Sequence, residues 1–192
     1  MAPIFKSFIY GILTALLALL AQLVIFSFLI DTNRPSDLRL IETLPSFLLI
    51  AVLVEEVSKF FFTFNFLKSF SKTGLDLIAN SLIAGIGFTV TEISLFLYKY
   101  TEPTQTDYIE LIKVGLLHIS TFGIIAYFSS SQEKASSIFI KAIITTTLLH
   151  FVFNFSVIQE VNFFKHIPIG VIILSVILNI YHTSTINKKL AI

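Results

Sequence analysis

The chain has 192 residues, of which 55% are hydrophobic and 13% charged, against roughly 45–50% and about 25% in an ordinary globular domain. The formal net charge is +1, so no basic surface points to a nucleic-acid partner. There is no cysteine, which excludes disulfides, a thiol nucleophile and cysteine-ligated zinc.

The apolar residues come in long blocks, and six of them read as membrane-spanning helices: 8–30, 44–66, 75–98, 109–128, 138–158 and 167–181. A spanning helix needs roughly 17–25 residues. The first block exceeds the roughly 7–15 residues of a signal-peptide core and is expected to be retained. The sixth is short and reaches spanning length only by borrowing from 161–164 or 183–185. Between the blocks lie polar connections rich in turn formers, such as DTNRPSDLR, TEPTQTD and SSSQEKASS. Pro3, Pro35, Pro45, Pro103 and Pro168 fall in connections or near the start of a span, where the missing N–H is harmless. The blocks lack the alternation of barrel strands. The expected fold is all-α: one integral membrane domain over 1–192, a polytopic bundle of about six transmembrane helices. The core of that bundle would be the four helices within about 44–158.

Orientation follows from the basic residues of the connections. One side holds Lys6, Lys68, Lys72, Lys134, Lys141, Lys188 and Lys189; the other holds Arg34, Arg39, Lys99, Lys113 and Lys165. The excess favours cytoplasmic termini. The expected location is a bacterial cell membrane.

The second block carries Glu55 and Glu56 at bilayer depth, where an acid costs roughly 2.5–3.5 kcal/mol on insertion scales. Such groups mark function by default, with a partner nearby. Lys59 is four residues from Glu55 and shares its helix face. A structural ion pair would account for Lys59 and one glutamate, but not for the second, about 100° around the helix. The third block places Ser81, Gly85, Phe88 and Glu92 on one stripe. Close helix packing, with Glu92 reaching an interface, explains that stripe as well as a site does. In the fourth block Gly115, His118 and Thr121 share a face; a lone histidine there is often only bonded to a neighbour's backbone. In the fifth, His150 and Asn154 project together.

Depth joins these groups. At 1.5 Å per residue, Glu55 and His118 lie roughly 14–16 Å from the start of their spans, and Glu92 and His150 roughly 9–12 Å before the end of theirs. In an alternating topology all four occupy one layer of the outer half of the membrane, where they can meet in one cavity.

The motifs E-E-x-x-K (Glu55, Glu56, Lys59), G-x-G-F-x-x-x-E (Gly85, Gly87, Phe88, Glu92), the helix histidine His118 and H-x-x-x-N (His150, Asn154) follow in order on consecutive spans. This pattern, over roughly residues 50–156, resembles the PrsW family of intramembrane proteases, related to the CAAX prenyl endopeptidases and bacteriocin-processing proteases. One departure is Ile93 after Glu92, where the family usually has asparagine.

The resemblance implies hydrolysis of a peptide bond in a membrane-anchored protein, such as an anti-sigma factor, or in a peptide precursor. The catalytic residues it implies are Glu55, Glu56, Glu92, His118, His150 and Asn154. Glu55 would be the general base, assisted by His118, and Glu56 would orient a histidine or share the base role. Glu92 would fix a histidine tautomer, while His150 and Asn154 would donate to the oxyanion. No cofactor is expected under this glutamate mechanism. The family is also classed as metalloprotease, and the histidines and glutamates present could bind zinc, although H-E-x-x-H is absent. The partners expected are the protein substrate and the lipid bilayer.

Two rival functions stay open. Buried Glu, Lys and His also mark proton- or ion-coupled transporters, but no span shows the broken helix or inverted repeat of that class. A catalytically inactive immunity or scaffold relative is the other, kept in view by Ile93.

Overall fold

A computed structural model of the protein describes residues 2–29, 45–99, 104–159 and 164–190. These residues form six long helices: α1 (Pro3–Leu29), α2 (Pro45–Phe62), α3 (Gly74–Lys99), α4 (Gln105–Ser129), α5 (Ala135–Ile158) and α6 (Ile167–Leu190). A π-helical turn at Thr63–Leu67 and a short helical piece, Lys68–Phe70, prolong α2. Among the described residues there is no strand. The connection 31–39, with Arg34, Pro35 and Arg39, lies outside the described residues, as does Pro103.

The fold is the all-helical membrane bundle expected from the apolar blocks. Helices α1, α3, α4, α5 and α6 are each long and apolar enough to cross a bilayer. Helix α2 is set apart by Glu55, Glu56 and Lys59 within its 18 residues. The sixth span is not short: α6 runs unbroken from Ile167 through 183–185 to Leu190. Its polar tail is helical because nothing in TSTIN breaks a helix.

Helix α3 is the hub and packs most extensively on α4 and α1. Its glycines explain how closely. A Cβ added to Gly85 would stand 2.6 Å from the Ile119 Cα of α4, and one added to Gly87 would stand 2.2 Å from the Phe8 carbonyl oxygen of α1. Small residues allow such backbone contact, the main route to tight packing in lipid, where hydrophobic association between helices is weak. Helix α2 lies against α1 and α5, and α6 against α4 and α5. The core between α1, α3 and α4 holds Ala15, Ala18, Ala84, Phe88 and Phe122. Leu20, Phe28, Ile112, Ile144 and Leu148 point outward, as lipid-facing side chains should. Two helices start on reciprocal caps outside the apolar layer: Thr73 with Asp76 on α3, and Thr104 with Asp107 on α4.

Candidate active site

Lys59 is held on every side. It is fully buried, and its Nζ donates to Glu56 Oε1 (2.6 Å), His118 Nδ1 (2.9 Å) and Thr121 Oγ1 (3.0 Å). These three bonds use all three ammonium protons. The Phe88 and Phe122 rings lie 4.9 and 5.8 Å from the same nitrogen, within cation–π range. A lysine this deep is tolerable only because it is fully bonded and carries its counter-ion one turn back on its own helix.

From Lys59 the contacts run in two directions. Glu56 Oε1 also meets His150 Nδ1 at 2.7 Å, and His150 Nε2 lies 3.7 Å from Glu55 Oε2. On the other side His118 Nε2 lies 2.5 Å from Glu92 Oε2, a close contact without hydrogen-bond alignment. The two imidazoles stand at 83° with centroids 4.9 Å apart. Helices α2, α3, α4 and α5 thus each deliver at least one group to a single cluster. Gly85 explains the α3–α4 part: lacking a side chain, it lets α3 approach the backbone beside His118, bringing Glu92 within reach two turns on.

Of the residues singled out from the sequence, Glu55, Glu56, Glu92, His118 and His150 are brought together with Lys59. Asn154 is half-buried one turn beyond His150, and among the described residues no hydrogen bond joins it to the cluster. Gln22 of α1 was not anticipated. Its amide nitrogen donates to Glu55 Oε1 (2.9 Å) and to the Ala51 carbonyl (3.1 Å). The available signal was a lone amide in an otherwise apolar span, because such groups bond across helices.

One carboxylate oxygen on each of Glu55, Glu56 and Glu92 is buried without a hydrogen-bond partner. Glu55 and Glu92 keep some exposure, 14% and 32% of their side chains. They reach it through a crevice of about 60 Å³ between α1 and α3, lined by Ala15, Ala18, Leu19, Gln22, Phe88 and Leu95. Two larger cavities, of about 860 and 480 Å³, lie at helix ends and contain none of the cluster residues.

Glu55, His118 and His150 each offer a ligand atom within 4.8 Å of the others. Two imidazoles and a carboxylate are a known zinc donor set, and the Glu56 contact behind His150 is the usual outer-shell support of a ligating histidine. The donor types and spacing therefore fit zinc. His118 sets a condition on that fit. An ammonium only donates, so Nδ1 facing Lys59 must accept, and the ring proton sits on Nε2. Ligation through Nε2 would need that proton elsewhere.

The family model described as PrsW family intramembrane metalloprotease matches residues 2–181. Neither the curated proteins nor the solved structures contain a match. The chain belongs to the PrsW family and is an integral membrane protein of an intramembrane protease family.

Proposed function

We propose that this PrsW-family protein cleaves a peptide bond of a membrane-anchored protein or peptide precursor by glutamate-activated water. The observation that carries the reading is Glu55 Oε2: buried, without a hydrogen-bond partner, and 3.7 Å from His150 Nε2. That oxygen is free to take a proton from a water lying against both groups. The water oxygen then bonds to the scissile carbonyl carbon. The C–N bond breaks as Glu55 passes the proton to the leaving amine.

The other residues arrange this step. Glu56 accepts from His150 Nδ1, which turns Nε2 towards Glu55. To donate to the oxyanion from Nε2, His150 must be an imidazolium, and Glu56 is then its counter-ion. Asn154, one turn on, is assigned as the second oxyanion donor. Glu92 and Lys59 hold His118 from opposite sides of its ring. The site lies roughly 10–12 Å before the ends of α3 and α5, and about 15 Å from the start of α2. With cytoplasmic termini this is the outer half of a bacterial cell membrane, so the cut falls near the outer end of the substrate's span.

A second reading rests on the Glu55, His118 and His150 set. Zinc held there would polarise the carbonyl and acidify a bound water. Cleavage that survives stringent chelation favours the glutamate route, whereas loss restored by zinc favours the second reading.

The deciding experiment compares membrane proteomes of cells carrying the wild type and Glu55→Gln. One or more membrane proteins should accumulate uncut in the variant. The new N-terminus of the wild-type product should map to the extracytoplasmic side. An ion flux abolished by Glu55→Gln, with an unchanged proteome, would replace the protease reading with transport. No effect on either would favour an inactive relative.

A further inference from the structure

We infer that Gln22 of α1 is a positioning residue for Glu55, which makes the first helix part of the catalytic apparatus; the inference rests on Glu55 being the base proposed above. The two amide protons of Gln22 go to Glu55 Oε1 at 2.9 Å and to the Ala51 carbonyl oxygen at 3.1 Å. Both partners are acceptors, so the amide has one orientation; turned over, it would set its oxygen against two oxygens. Ala51 sits one turn before Glu55 on the same helix. The amide is therefore anchored to the segment that carries its target.

The consequence is that the two oxygens of Glu55 differ. Oε1 is held by Gln22, while Oε2 has no partner and faces His150 Nε2. A carboxylate free to rotate would offer either oxygen and spend part of its time aimed away from the water. Gln22 fixes which oxygen accepts the proton, and as a neutral group it does so without adding a charge to the cluster. Its own position is set lower on α1, where Gly11 and Gly87 press the α1 and α3 backbones together about 16 Å away. Gln22 also lines the crevice through which Glu55 reaches its surroundings.

The plain alternative is that Gln22 only ties α1 to α2. Purified Gln22→Met separates the two. A positioning role predicts a kcat lower by about 10–100-fold, the worth of a hydrogen bond to a charged group, with KM unchanged. It also predicts a shift in the Glu55 carboxylate infrared band, assigned by its loss in Glu55→Gln. A tie alone would lower thermal stability and shift the band, since the same hydrogen bond is lost, but would leave kcat where it was. Should Gln22→Met not fold, Gln22→Leu removes the same donor at similar volume, and the same fall in kcat is expected. Wild-type kcat in either folded variant, or an unmoved band, overturns the inference. If the wild type cleaves nothing, the protease reading fails, and the band still reports whether Gln22 holds Glu55.

Discussion

The protein contains the same Glu–Lys pair in two settings. Lys59 and Glu56 meet at 2.6 Å inside the bundle with both side chains fully buried; Lys141 and Glu133 meet at 2.7 Å near the start of α5 with each nearly half exposed. The bond lengths are almost equal and the consequences are not. In water an ion pair is screened and its side chains exchange partners freely, so an exposed pair contributes little. In the dry layer neither charge has water to fall back on, so each group is tied to every other that satisfies it. The proposed function falls at the inner pair, where removing one proton or one bond changes its neighbours strongly.

The largest effects are expected where that inner network meets the reacting water. Glu55→Gln and His150→Ala should each lower cleavage by about 10²–10⁴-fold while the protein still inserts, checked by single-turnover assay on folded protein. Cleavage at the wild-type rate by either would remove that residue from the mechanism.

Next comes the pair itself. Lys59→Met leaves Glu56 buried without its cation, and such a break costs about 3–5 kcal/mol; unfolding in detergent should show it. The double variant Lys59→Met, Glu56→Gln should recover part of the loss. If it is as unstable as the single variant, the burden lies in packing rather than in stranded charge.

Gly85→Leu tests the contact that delivers His118. Its side chain must displace the α4 backbone, for an overpacking cost of about 1–3 kcal/mol. Cleavage should fall by more than stability explains, since His118 moves with α4.

The smallest effect belongs to the outer pair. Lys141, and after it Ser137, hold the Glu133 carboxyl below its ordinary value of 4.5 through hydrogen bonds. A depressed carboxylate stabilises the fold above its unfolded value and loses that contribution as pH falls through the lower one. An NMR titration of Glu133 should give a midpoint below 4.5 in the wild type and a rise towards it in Lys141→Ala, with cleavage unchanged.

Most of the architecture was legible because lipid imposes a simple rule: long apolar blocks become helices. The end of α6 was missed because its last turns are polar, and composition alone does not say where a helix stops once it leaves the apolar layer. The cluster was legible for a related reason. Ionisable groups are rare at that depth, and helical rise places Glu55, Glu92, His118 and His150 at one level. Gln22 escaped because an amide is cheap enough in a membrane helix to pass as ordinary. Lys59 was read as a partner of Glu55, four residues away; the side chain instead reaches Glu56, three residues away, and leaves Glu55 to Gln22. Spacing allows both pairings, and the positions of α1, α4 and α5 decide between them.

The placement of Lys59 and Glu56 on one helix has a consequence in time. During synthesis α2 enters the membrane well before its remaining partners exist: His118 follows Lys59 by 59 positions, and His150 follows Glu56 by 94. At 5–20 residues per second, the helix waits about 3–20 s for them. Throughout that interval its lysine has only the two glutamates of its own helix within reach, Glu56 three residues back and Glu55 four. A Glu55→Gln, Glu56→Gln chain would meet the bilayer as a helix with a cation and no anion within its own turn. Its defect should therefore appear first as slow or failed insertion of the nascent chain, before any question of catalysis arises.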